Sequence, residues 1–190
     1  MKHKLLCTLA LVVLVMVAFA TSPAEAQTTA PGPYYATPSW DQTLACTTLA
    51  TCPRFIVLSN MSSAAVLDRE TGLAWERSPY TNITTWMTAQ MYCNNLTVGN
   101  RKGWRLPTLQ ELASLVDGDP ANISSPRLPP GHPFSNVQSS TYWSATTDHG
   151  ADNLAWVVNF SNGDVDNHGA KVLVTHRVWC VRGGQGVDPQ

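Results

Sequence analysis

Carboxylate and amide side chains cluster twice in the last third of the sequence, and they are the residues best suited to bind a ligand. The segment 164–169 (Asp-Val-Asp-Asn-His-Gly) begins like a calcium-binding loop, because Asp164 and Asp166 place oxygen ligands at alternate positions before a glycine. His168 and Thr175 occupy the fifth and twelfth positions, where such a loop needs an oxygen ligand and a bidentate glutamate. Calcium is therefore supported only in part, and a polar strand edge after a turn is the alternative.

A second group of oxygen-bearing side chains consists of Asp148, Asp152 and Asn153. These residues lie in a segment that we expect to be a loop before a strand. The Ser-Asn-Gly-Asp sequence at 161–164 is typical of a hairpin turn, because Asn-Gly readily adopts positive φ angles. We expect no resident cofactor and assign no metal ligand. The complete set of candidate ligand-binding residues is Asp148, Asp152, Asn153, Asn162, Asp164 and Asp166.

No sequence motif indicates catalysis, and we expect a protein that is not an enzyme. The histidines at 132, 149, 168 and 176 form neither an H-x₃₋₅-H pair nor an H-E-x-x-H motif. There is no G-x-S-x-G elbow, P-loop or dinucleotide fingerprint. A hydrolase assembled from distant residues is the alternative, because triad partners need not be adjacent in sequence.

The N-terminus predicts export. A basic start (2–4), an apolar run (5–20) and an Ala-Glu-Ala sequence at 24–26 have the order of a cleavable secretory signal over residues 1–26. An uncleaved anchor is the alternative, but the run is shorter than the roughly 20 residues that span a bilayer. We expect no other membrane span and a secreted or periplasmic protein.

Charge argues against polyanionic partners. Removing residues 1–26 leaves 10 basic and 12 acidic residues, a formal net charge of −2. Nucleic acids and anionic membranes need clustered lysine and arginine, so we expect neither as a partner.

The four cysteines after residue 26 predict disulfides, since an even number in an exported chain usually forms a framework. Of the three pairings, we favour Cys46–Cys52, which are close in sequence, and Cys93–Cys180, which would join a helix to the last strand. A zinc site is disfavoured because the first two cysteines are too far apart for a C-x₂₋₄-C pair and the other two stand alone.

Apolar patterning predicts one α+β domain over residues 55–184, after an extended lead-in (27–54) with a local disulfide and before a tail (185–190). One helix starts near Thr85, and a second starts at Thr108, which forms a capping box with Glu111. A long proline-rich segment follows at 117–140. Strands are predicted at 55–58, 65–68, 73–76, 142–146, 154–160, near 165 and at 176–182.

Six blocks of the sequence resemble, in order, the Lcl C-terminal domain family, first described as a bacterial domain of unknown function. The most distinctive block is Trp-Arg-Leu-Pro-Thr-x-x-Glu at 104–111, and the resemblance covers about residues 64–184. The blocks lie at 68–76, 85–93, 103–112, 142–144, 158–163 and 178–182.

The resemblance implies a C-type lectin-like fold, with two helices, a small mainly antiparallel sheet and a helix cysteine tied to the final strand. That last feature agrees with Cys93–Cys180. The family's named member resembles a surface adhesin that holds polysaccharides, although this chain has no Gly-X-Y collagen-like tract. The resemblance supplies no catalytic residues.

We therefore expect an exported lectin-like module that binds an extracellular or envelope ligand such as a polysaccharide. The segment 117–153 and the hairpin at Asn162-Gly163 are the expected binding surface, by analogy with lectin loops that bind calcium and sugar. The alternative is a structural protein of the cell envelope that binds a protein partner and no small ligand.

Overall fold

The computed structural model describes residues 52–183, together with Thr29–Ala30, Leu44 and Thr48. The predicted signal sequence, Cys46 and the predicted tail lie outside the described residues. The strands are β1 (Thr29–Ala30), β2 (Phe55–Leu58), β3 (Ala65–Asp68), β4 (Leu73–Glu76), β5 (Tyr80–Thr84), β6 (Trp104–Arg105), β7 (Thr141–Thr147), β8 (Leu154–Asn159), β9 (Val165–Ala170), β10 (His176–Val178) and β11 (Val181–Arg182). The helices are α1 (Trp86–Asn95) and α2 (Leu109–Ala113), with 3₁₀ turns at Ser59–Met61 and Val98–Asn100.

The strands form two sheets. The first has six strands in the order β1-β2-β3-β4-β11-β6, and only its β1–β2 pair is parallel. The second has five strands in the order β5-β10-β7-β8-β9, and only its β10–β7 pair is parallel. The last two strands, β10 and β11, are consecutive in the chain but belong to different sheets.

Both faces of the first sheet are buried, which explains its continuous apolar strands. Val66 and Trp75 point into one core cluster, whereas their neighbours Leu67 and Ala74 point into the other. Every residue of β3 and β4 is therefore buried. Helix α2 covers the first cluster and α1 covers the second, so the helices pack on opposite sides of the strands.

The prediction of an α+β, C-type lectin-like domain with two helices and a small sheet is wrong. The described part of the chain is mostly β-structure, and its two α-helices are only 10 and 5 residues long. The prediction missed β5 because its residues are mainly polar and exposed, and it missed β6 because two residues carry no periodicity. Tertiary pairing, not local pattern, makes these segments strands.

The predicted last strand is broken in the middle, at the point where the chain passes between the sheets. There the indole Nε1 of Trp179 donates to the carbonyl of Glu76 (2.9 Å), and the amide of Cys180 donates to the Glu76 carboxyl (2.8 Å). The amide of Glu76 donates in return to the carbonyl of Cys180 (3.1 Å). We call this arrangement the crossing.

The predicted disulfide between Cys93 of α1 and Cys180 of the crossing is confirmed, with Cα atoms 5.5 Å apart. Cys52 is also disulfide-bonded, but its predicted partner, Cys46, lies outside the described residues. Within the described ranges, no helix has the length and apolar character needed to cross a bilayer.

We predict that Cys93→Ala lowers the free energy of unfolding by about 4–5 kcal/mol, because the bridge spans 87 residues and restricts the unfolded chain. Urea unfolding under oxidising conditions measures this loss. Reduction also opens the disulfide of Cys52, so the matched comparison is between wild type and variant under reducing conditions, where the two should be equally stable. A variant as stable as oxidised wild type would contradict the structural role of the bridge.

Candidate functional site

The first predicted ligand cluster lies in the connection between β7 and β8, where its polar groups bond to one another. The carboxylate of Asp148 accepts from the amide of Gly150 (3.0 Å) and from the side chain of Asn167 (2.8 Å). Lys171 bonds the backbone carbonyls of Asp152 and Asn153 through its ammonium and its amide (2.7 and 3.0 Å). The side chains of Asp152 and Asn153 are exposed.

The second predicted cluster lies at the opposite end of β8. Asn162 and Asp164 bond to each other in the turn between β8 and β9, and Asp166 follows on β9 opposite Val157. The length of β8 separates Asn162 and Asp164 from the β7–β8 connection by about 16 Å. Asp166 lies between the two ends, next to Asn167, whose side chain reaches Asp148. Among the described residues, no group of three or more His, Cys, Asp and Glu side chains could hold a metal ion. The expectation of no resident cofactor, with calcium as the weaker alternative, stays a prediction.

Part of the predicted binding segment (117–153), its proline-rich portion at 117–140, is anchored to the core at a few residues. Leu128 and Phe134 are buried, at 1% and 7% exposure, and the backbone of Arg127 bonds to Asp117 and Phe160. Leu128 and Phe134 therefore belong to the first core cluster, whereas Ile123 is 89% exposed.

A cavity of about 260 Å³ lies instead between α1, β6 and the start of α2. We call it the α1–β6 cavity. Four of its seven lining residues come from the Trp-Arg-Leu-Pro-Thr-x-x-Glu block. The lining residues are Gln90, Asn94, Arg105, Leu106, Thr108, Glu111 and Ala145.

An ion pair forms one wall of this cavity. The guanidinium of Arg105 donates two hydrogen bonds to the carboxylate of Glu111 (2.7 and 2.8 Å) and a third to the carbonyl of Gly183 (2.8 Å). Glu111 also completes the predicted capping box with Thr108, which is confirmed. Burial by itself raises the pKa of Glu111, but the bonds from Arg105 and Thr108 outweigh it and lower the pKa below its usual value.

Two side-chain amides of α1 form the facing wall. Gln90 and Asn94 are four residues apart and therefore lie on the same side of the helix. Within residues 52–183, neither side chain has a hydrogen-bond partner, and Asn94 is exposed. Each amide offers a donor and an acceptor to a ligand.

The family model for the Lcl C-terminal domain matches residues 64–182, most of the described chain. The chain belongs to the Lcl C-terminal domain family. No curated protein matches the sequence closely enough to count as a relative. The match begins after β2, so the first sheet includes strands that precede the Lcl C-terminal domain match.

Some blocks that carry the family resemblance have structural roles. Asp68 accepts from the guanidinium of Arg54, the amide of Glu70 and the hydroxyl of Thr71, which fixes the turn between β3 and β4. The guanidinium of Arg54 also donates to the carbonyl of Ser114, after α2 (2.7 Å). Asp68 of the block at 68–76 therefore fixes a turn and forms an ion pair with Arg54, which precedes the family match.

Gln90 and Asn94 were not among the predicted ligand-binding residues, because side-chain amides on a helix match no ligand-binding motif. One signal was available: α1 contains no charged residue over its 10 positions, although much of it faces solvent. About one quarter to one third of the residues on an exposed surface are usually charged, so the exposed side of α1 is unusual.

Beneath α1, the carboxyl of Glu76 at the crossing is almost fully buried. It accepts a hydrogen bond from the hydroxyl of Tyr92 (3.4 Å) in addition to the amide of Cys180. Burial raises the pKa of Glu76 to about 7, although these two bonds lower it in part.

We predict that Glu76 makes stability depend on pH. The folded protein keeps this carboxyl protonated up to about pH 7, whereas the unfolded chain ionises it near 4.5. Between these values the unfolded state binds fewer protons, so the contribution of Glu76 falls by up to about 3 kcal/mol as pH rises.

Urea unfolding of wild type and Glu76→Gln at pH 4.5 and 7.5 measures this effect, because glutamine does not titrate. The stability of wild type relative to Glu76→Gln should fall from the lower to the higher pH. Asp152→Asn, at an exposed carboxylate, is the control and should show no such trend. An equal change in the free energy of unfolding of wild type and Glu76→Gln between the two pH values would contradict the prediction.

Proposed function

We propose that the protein is an exported module that binds a polysaccharide or a similar hydroxyl-rich ligand in the α1–β6 cavity. The proposal rests on one observation: two side-chain amides without hydrogen-bond partners face an ion pair whose charges cancel. Gln90 and Asn94 offer donors and acceptors, while Arg105 and Glu111 cancel each other's charge.

Hydroxyl groups suit this lining because each can donate and accept a hydrogen bond. The amides of Gln90 and Asn94 can do the same, and the carboxylate of Glu111 can accept further bonds. Leu106 and Ala145 supply apolar surface for the carbon skeleton of such a ligand. Pockets of this kind combine apolar walls with a few polar groups that fix orientation.

The chemistry of the cavity favours binding over catalysis. Glu111 is held as an ionised carboxylate by Arg105, so it is poorly suited to donate a proton as a general acid. The side chains of Gln90 and Asn94 do not titrate.

Export is part of the proposal. The Cys93–Cys180 disulfide is typical of proteins that fold outside the cytoplasm, and the predicted signal sequence supplies a route there. The resemblance to a polysaccharide-holding adhesin is consistent with a ligand outside the cell.

A second candidate is a structural protein of the envelope that binds a protein partner. It is favoured by Val172 and Leu173, which are 76% and 84% exposed in the turn after β9. Co-purification of one stoichiometric protein that is lost in Leu173→Asp would support this candidate.

We predict that the mature protein binds glycans on an array and that the double variant Gln90→Ala/Asn94→Ala lowers the affinity at least tenfold. Each amide that no longer bonds to the ligand costs about 1 kcal/mol, and the two losses together exceed the roughly 1.4 kcal/mol that corresponds to a tenfold change. Gln110→Ala removes an exposed amide of α2 outside the cavity and should bind like wild type. No binding to any glycan by folded wild type would refute the proposed function.

A further inference from the structure

A second cavity, of about 400 Å³, lies on the other side of α1 and has a lining that resembles the first in chemistry. Asn95 contributes an exposed amide, and Thr88 and Thr97 contribute hydroxyls. Met91 and the ring of Tyr92 contribute apolar surface. We call it the α1 outer cavity.

The wall formed by Tyr92 is held in place from two directions. Its ring packs against the ring of Tyr80, with centroids 4.4 Å apart, and its hydroxyl reaches the carboxyl of Glu76 at the crossing. The neighbouring Cys93 is tied to Cys180. A ligand in the α1 outer cavity would therefore meet a preformed surface, which reduces the entropy lost on binding.

The two cavities flank the same helix. Successive residues of an α-helix are turned by about 100°, so Asn94 and Asn95 face different sides of α1. Gln90 and Asn94 line the α1–β6 cavity, whereas Met91 and Asn95 line the outer one. A helix with its side chains is about 10–12 Å wide, so a ligand that fills both cavities must be longer than that.

The crest of α1 between the cavities is uncharged. It carries Met87 and Met91, which are 60% and 57% exposed, and the helix has no acidic or basic residue at either end. Among the described lining residues of both cavities, the only charged groups are Arg105 and Glu111, which neutralise each other. These lining residues are complementary to an uncharged chain. Lys171, which lies over the ring of Trp86 at the start of α1, is held by hydrogen bonds to Thr147 and to the carbonyl of Asp152.

We infer that the two cavities are subsites for one uncharged, linear glycan chain that crosses α1. The inference rests on the proposed function and specifies its ligand: an internal stretch of a neutral polymer, not a single sugar and not a sulfated or uronic chain. Occupying a second subsite after the first is an intramolecular step, so affinity rises with chain length until both are filled.

An array of neutral glucan, mannan, galactan and chitin fragments, each from one to eight units, tests this inference with the intact mature protein. Sulfated and uronic polymers are included as charged probes. We expect wild-type affinity to rise at least tenfold between two and six units of the preferred series. Asn95→Ala and, independently, Met91→Lys should reduce that gain severalfold, when the affinity of each variant for six units is compared with its own affinity for two units.

Both substituted side chains are exposed, and equal melting temperatures will verify that the variants fold. Gln110→Ala is the control and should keep the full length dependence. Equal affinity for short and long fragments, or unaltered length dependence in both variants, overturns this inference and leaves the proposed function standing. Preference for sulfated or uronic polymers also overturns it, whereas no glycan binding at all overturns both.

Discussion

A buried glutamate holds the point at which the end of the domain passes from one sheet to the other. Glu76 bonds to Trp179 and Cys180 through its carbonyl, its amide and its carboxyl, so it replaces the strand neighbours that these residues lack. The buried carboxyl is tolerated because burial favours its neutral form up to about pH 7 and because it has hydrogen-bond partners. Glu76 thus supplies the hydrogen-bond partners where the chain crosses between the sheets, while the two core clusters pack the sheets against each other.

The same junction positions the helix that we assign to ligand binding. Cys93 ties α1 covalently to Cys180, and Tyr92 adds a hydrogen bond from the same helix to Glu76. Binding groups are most precise when they stand on elements that the core already fixes. The amides of α1 are therefore presented on a short, anchored helix, while Leu128 and Phe134 of the predicted binding segment at 117–153 contribute to the core.

Local signals in the sequence were sufficient for part of this structure. The apolar strands at 55–58, 65–68 and 73–76, the capping box at Thr108 and the Cys93–Cys180 bridge could all be predicted, because each depends on nearby residues or on cysteine pairing. The break in the predicted last strand could not be foreseen, because the residue that bonds there, Glu76, is 104 residues away from Cys180. The site was missed for the same reason: acidic clusters are visible in sequence, whereas a cavity between α1 and β6 exists only after folding.

Native-state hydrogen exchange at the amide of Cys180 tests the role of the crossing most directly, because this amide donates to the Glu76 carboxyl and to no neighbouring strand. If the crossing joins the sheets, the amide exchanges only through global unfolding, with the same free energy as the amides of central strand β3. Exchange of Cys180 through a lower-energy local opening, while β3 stays protected, would contradict this account.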